Sequence, residues 1–138
     1  MTNDLDTDII ARIHDAFNRR DRDAIAAELT EDVVFHQIPG IEGAPPTVHG
    51  RDQVMEGFDM MMQLGGQRIE HHNAEALAGY VVGIGTATFT VDGEERSVQI
   101  IDVCGMREGK LAERWAMLDD PEEAQRIFAA LVAQTADA

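Results

Sequence analysis

The chain has 138 residues, 44% apolar and 27% charged, with 11 basic against 26 acidic side chains and a formal charge of −15. That length suits one core and a single domain over 1–138, and so acidic a surface argues against nucleic-acid and membrane partners. A polar N-terminal stretch (MTNDLDTD), no long apolar run and a single cysteine point to a reducing, cytoplasmic setting without an intrachain disulfide.

Ile9, Ile10, Ile13, Ala16 and Phe17 recur at helical spacing behind a Thr7 or Asp8 cap, which predicts a first helix ending at Asn18-Arg19-Arg20-Asp21. A short second helix has Ile25, Ala26 and Leu29 as its buried side. Thr30-Glu31-Asp32 leads into a strand over 33–38. Pro39, Gly40, Gly43, Pro45 and Pro46 mark a loop long enough to be a lid or rim. The third helix begins near Gly50-Arg51-Asp52, presents Val54, Met55, Phe58, Met61 and Met62, and stops at Gly65-Gly66.

From Gln67 onward the chain reads as a meander of strands. Arg68 to Leu77 is broken by Ala78-Gly79, and Tyr80 to Val91 ends at Asp92-Gly93, a two-residue hairpin signal. Pairing Val91 with Glu94 sets Gly83 opposite Asp102 and Gly85 opposite Ile100. The small row Gly83, Gly85, Ala87 would then leave a cavity beside Asp102, a bulge or sheet bend being the alternative. Arg96 to Asp120 predicts two long antiparallel strands turning at Arg107-Glu108-Gly109. One face of the first carries Val98, Ile100, Asp102, Cys104 and Met106, a carboxylate inside an apolar row. Pairing Met106 with Lys110 puts Arg114 directly across from Asp102, while a slip of one residue would bring Trp115 there. Pro121-Glu122-Glu123 opens a last amphipathic helix through Ile127, Phe128, Leu131 and Val132. Helices first and antiparallel strands after them define an α+β fold.

Asp102 is the leading candidate for chemistry. Burial would raise its pKa and Arg114 would lower it, so it is either a neutral acid or an ionised base, or else half of a structural ion pair. Gln37 either orients a water or substrate carbonyl, or satisfies loop backbone near Pro39. His14, at the edge of its helix stripe, and His36, His49, His71 and His72 read as solvated or capping residues. No set has metal-ligand spacing, and no glycine pattern implies a nucleotide cofactor. Cys104 reads as a small buried hydrophobe. Tyr80, Val82 and Ile84, with Ile101 and Val103, would leave an apolar patch on the outer sheet face, which suggests a homodimer.

The runs EDVVFHQIPG, HGRDQV, IIDV and REGKLAERW, in that order, resemble the nuclear-transport-factor-2-like superfamily. The nearest branches are SnoaL-like polyketide cyclases, ketosteroid isomerases and limonene-epoxide hydrolases, and the likeness spans about Ile9 to Asp120. It implies a cone-shaped α+β barrel, a curved, mostly antiparallel sheet packed on N-terminal helices and enclosing an apolar pocket, in a homodimer built on the outer sheet face. The isomerase's protonated acid falls on Asp102, its base on Gln37 and its tyrosine donor on Ile13. The cyclases' His and Asp positions hold Arg114 and Ala116, and the hydrolases' Tyr and Asn positions hold Phe35 and Gln37.

Together these readings assign Asp102, Arg114 and Gln37 as catalytic. The pocket would take Ile13 and Phe17 from the first helix, Phe35 from the first strand, and Val54, Phe58 and Met61 from the third helix. Gly83, Gly85, Ile100, Cys104, Ala116 and Leu118 would complete it from the long strands. The expected activity is cofactor-free acid/base chemistry on a small apolar oxygenated molecule, of isomerase, cyclase or dehydratase type. Epoxide opening by Gln37 and Asp102, or a non-catalytic small-molecule-binding dimer, are the alternatives.

Overall fold

A computed structural model describes residues 5–36, 47–63 and 67–136. In chain order these form α1 (Ile9–Asn18), α2 (Arg22–Ala27), β1 (Leu29–His36), β2 (Thr47–His49), α3 (Arg51–Gln63), β3 (Arg68–Leu77), β4 (Tyr80–Val91), β5 (Glu94–Arg107), β6 (Lys110–Leu118) and α4 (Pro121–Ala136). Gln37, the Pro39 to Pro46 loop and the Gly65-Gly66 stop lie outside the described residues.

Left-handed pairs of turn residues make the meander: Ala78-Gly79 (φ 52° and 87°), Asp92-Gly93 (51° and 81°) and Glu108-Gly109 (53° and 77°). Positive φ at both central residues matches the right-handed twist of the flanking strands, so each pair closes a hairpin in two residues. The described strands form one open, curved, six-stranded sheet in the order β2-β1-β6-β5-β4-β3. β1 runs parallel to β6 and the other neighbours are antiparallel.

The β4–β5 ladder has the expected register, with Val91 opposite Glu94, Gly83 opposite Asp102 and Gly85 opposite Ile100. The β5–β6 ladder differs. Its loop is two residues long, pairing Arg107 with Lys110, and a bulge follows at Gly105/Met106. Asp102 therefore faces Ala116, and Arg114 faces Cys104. A shift of two residues keeps Arg114 on the Asp102 face, because side-chain direction repeats every second residue.

Other boundaries also move. Leu29 begins β1 instead of closing α2, and β2, a three-residue strand, was not foreseen. Asp8 is the N-cap of α1 but makes no side-chain cap bond, whereas Asp21 caps α2 by accepting from the Ala24 amide at 3.1 Å. On α4, Ile127 and Leu131 are buried but Val132 is 61% exposed.

α1 lies across the inner face of the sheet. Its Ile9, Ile10, Ile13, Ala16 and Phe17 join Ile25, Leu29, Val33, Val54, Met55, Val81 and Leu111 in the main core. Each fully buried aliphatic chain there stabilises by about 1.5–3 kcal/mol. A second cluster lies under α4, where Ala124, Ile127 and Leu131 cover Phe89, Val91 and Val98.

The cavity expected at the glycine row is filled. A Cβ at Gly83 would stand 2.6 Å from the Ile10 Cδ1 atom, and one at Gly85 would stand 2.8 Å from the Glu70 carbonyl oxygen. Gly83 thus lets α1 approach the sheet closely and Gly85 lets the β3 backbone lie close against β4, and they do not line open space beside Asp102. On the opposite face Tyr80, Ile84 and Met117 are exposed, with Val82, Ile101, Val103 and Trp115 half-buried among them. No helix among the described residues is long and apolar enough to cross a membrane.

Candidate functional site

Asp102 sits in the inward row of β5 and is 3% exposed. Its Oδ1 accepts a hydrogen bond from Arg114 Nε at 2.6 Å and lies 2.6 Å from Nη2 of the same guanidinium. The contact is diagonal across the β5–β6 ladder, a spacing that a long side chain spans. On its other side Arg114 neighbours Phe35 of β1, and its Cζ rests 5.1 Å from the centre of that ring. The guanidinium, 20% exposed, is held between an aromatic face and a carboxylate.

The remaining carboxylate oxygen, Oδ2, faces His14 Nε2 at 3.5 Å. His14 is buried, not at the edge of its helix stripe. It follows Ile10 by one helical turn, so where Ile10 fills the space over Gly83, His14 reaches Gly85 and Asp102. The resemblance to the isomerase put its α1 donor on Ile13. In the structure Ile13 packs in the core, and the α1 group that meets the aspartate is His14, one residue on.

Burial acts to raise the Asp102 carboxyl. Against it stand the Arg114 charge first, then the His14 contact and the Arg114 hydrogen bond, and together they hold the group below the usual carboxylate range. Of the two regimes open to Asp102, the structure has the ionised one.

His71 completes the cluster from β3. It pairs with Gly85, and its ring centre lies 6.0 Å from that of His14 at an interplanar angle of 58°. A bulge between His71 and Asn73 turns His72 away to contact the Thr86 hydroxyl at 2.6 Å. Burial, then the neighbouring His14 and His72, lower the His71 pKa against the opposing pull of Asp102, so the neutral ring is favoured. Nδ1 of His14 and Nδ1 of His71 are buried and meet no hydrogen-bond partner among the described residues. The sequence signal for this pair was present: a histidine four residues from a core isoleucine, and another beside an in-strand glycine.

Ile13, Phe17, Phe35, Val54 and Cys104 are buried in the main core, with Phe58 and Met61 packed against it. Ile100 and Ala116 are buried on either side of Asp102, and Leu118 belongs to the cluster under α4. The Cys104 thiol is pushed up to about 12, by burial first and then by the Asp102 charge, so it stays protonated. His36 lies on the outer face, stacked on Trp115 at 5.0 Å and 2.5 Å from Glu113. The described residues contain no group of three or more His, Cys, Asp or Glu placed to hold a metal.

Solved structures share this architecture. Bal32a from a soil-derived mobile gene cassette aligns with a TM-score of 0.79 at 18% identity, over 87% of this chain and 93% of its own. TerC co-crystallized with polyporic acid gives 0.73 at 19%, over 91% and 96%. An NTF2-like protein of unknown function from Burkholderia pseudomallei gives 0.76 at 23%, over 91% and 100%. At such identities the likeness establishes an NTF2-like fold. Among curated proteins none matches the sequence. The family model described as "SnoaL-like domain" matches residues 10–114, and the chain belongs to that family, the SnoaL-like branch of the NTF2-like superfamily.

Replacing Asp102 with Asn keeps the shape and removes the charge that balances Arg114. Breaking a buried ion pair costs about 3–5 kcal/mol, and the partial exposure of Arg114 puts this loss at the lower end. Because the native carboxyl is depressed, its contribution is complete above the unfolded-state pKa of about 4 and fades as pH falls through the native value. Urea denaturation should therefore separate wild type from Asp102→Asn at about pH 7 and bring them together in strong acid. Equal stability at neutral pH would show that the carboxyl is not ionised in the fold.

Proposed function

We propose that this protein is a cofactor-free enzyme that moves protons within a small, largely apolar, oxygenated molecule, in an isomerisation, cyclisation or dehydration. The observation that carries this reading is an ionised carboxylate inside an apolar shell, joined to Arg114 on one oxygen and facing a buried histidine with the other. Perturbed carboxylates of this kind concentrate at reactive sites. Membership of the SnoaL-like family supports a small-molecule ligand, as does the neighbour co-crystallized with polyporic acid. Asp102 supplies the negative charge for acid/base work, and the part-exposed Arg114 can receive charge that develops on a ligand oxygen. The setting we propose is cytoplasmic.

Epoxide opening is the second reading, favoured by the carboxylate–guanidinium pair itself, with Asp102 and Gln37 activating water. Against any catalysis stands Ala116, whose methyl group faces Asp102 where the cyclases carry an aspartate. A panel of enolisable ketones, epoxides and polyketide-like aromatics, followed by NMR in D2O, separates the cases. Wild type should exchange or convert at least one ketone or aromatic, and Asp102→Ala should lose about 10²–10⁴-fold in rate. Saturable binding without exchange or turnover would leave a binding protein.

The exposed apolar face of β4, β5 and β6 supports a homodimer through that surface. Sedimentation at micromolar concentration should give twice the chain mass, and Ile84→Glu, placing a charge in the face, should halve it. A wild-type monomer would contradict the assembly.

A further inference from the structure

The buried row of β5 runs from Val98 through Ile100 to Asp102, and different layers cover its two ends. Over Asp102 lies α1, whose Ile10, Ile13 and Phe17 belong to the main core, as do Val54 and Met55 of α3. Over Val98 lies α4. Among the described residues α4 sends no buried side chain into the main core. Its Ala124, Ile127 and Leu131 close instead on a separate floor of Ala87, Phe89, Val91 and Val98. The Phe128 and Phe89 rings meet edge to face there, 5.6 Å between centres.

That floor belongs to the least supported part of the sheet. β3 begins to pair at Thr88 and β6 stops pairing at Ile100, so beyond those residues the β4–β5 hairpin is a two-stranded ribbon. Such a ribbon is marginally stable by itself, and here α4 is its apolar partner. The joint between them is firm. The Asp119 amide donates to the Gln99 carbonyl at 3.1 Å, and Asp119 Oδ1 accepts from the Gln99 amide at 2.8 Å. Asp120 then holds the first turn of α4 by accepting from the Glu123 amide at 3.0 Å, and the Glu123 carboxylate is paired with Arg96 of the ribbon.

We propose that α4 is a lid, that it opens about Asp119 and Asp120, and that an uncharged apolar molecule takes its place on the Phe89, Val91 and Val98 floor. Closed, Ile127 and Leu131 occupy the floor themselves, so helix and ligand exclude one another and the lid equilibrium sets the apparent affinity. α4 can lift as a local unit while the main core stays shut, because its buried side chains lie outside that core. The floor leads inward. Met61 and Ile69 touch both clusters, and the next rung, Ile100 with Leu118, neighbours Asp102 with Ala116 on the same face. A formal charge of −15 repels anions, and the floor is hydrocarbon, so the part of the ligand that meets it is apolar and uncharged. This rests on the small-molecule reading above and gives such a ligand its way in.

Amide hydrogen exchange of the wild-type protein, with and without the uncharged fluorophore N-phenyl-1-naphthylamine, tests the lid. Unliganded, α4 should exchange at least about tenfold faster than α1 and the centre of β5. The fluorophore should bind saturably and speed exchange in α4 further, while α1 keeps its protection. Glu123→Gln and Arg96→Gln each remove the ion pair, from the helix and from the ribbon, and leave the floor intact. Each should tighten fluorophore binding by about twofold to fivefold, the weight of one such pair. Exchange of α4 no faster than that of α1 and β5, or fluorophore binding unchanged in both variants, would overturn the lid. Turnover of a small ketone with α4 protected throughout would overturn it while leaving the acid/base reading intact. Fluorophore binding and α4 opening as expected, with no turnover of any ketone, epoxide or aromatic, would uphold the lid and remove that reading.

Discussion

A carboxylate taken out of water must be protonated or given a counter-charge, because its desolvation otherwise costs several kcal/mol. Here the counter-charge comes from Arg114, and the sheet order is what delivers it. β6 lies between β1 and β5, so one side chain can press on Phe35 and reach Asp102 at the same time. The third partner arrives from a different layer. α1 settles onto the inner face where β4 offers Gly83, over which Ile10 closes, and one turn further on His14 comes to lie beside Gly85.

The chemistry follows from that convergence. A carboxylate held ionised does not act as the neutral hydrogen-bond donor of the ketosteroid isomerases, which the resemblance of IIDV brought into view. It is bound instead by a guanidinium on one oxygen and faced by a buried imidazole on the other. Family membership is compatible with this difference, since a fold hosts many reactions and the site decides among them.

Much of the frame was legible in the residues. The Asp92-Gly93 turn dictated the β4–β5 register, and with it the meeting of Gly83 and Asp102. The Asp102–Arg114 pair was legible for a subtler reason: the shorter β5–β6 turn and the bulge after it each shift the ladder by one residue, and the two together preserve the face though not the partner. His14 was hidden because the α1 stripe was read from its apolar members alone. Ile10, Ile13 and Phe17 define a face on which residue 14 also lies, but only the depth of α1 against the sheet shows that it is buried. His71 was obscured by the β3 bulge, which breaks strict alternation at His72. β2 pairs through three residues, too few to carry a period.

The charge state of Asp102 is the point on which these conclusions turn, and a carbon NMR titration of its carboxyl reads it directly. Held by Arg114 and faced by His14, the group should titrate below the usual carboxylate value of about pH 4. It should be fully ionised at about pH 7. A carboxyl still protonated at neutral pH would contradict the ion pair between Asp102 and Arg114.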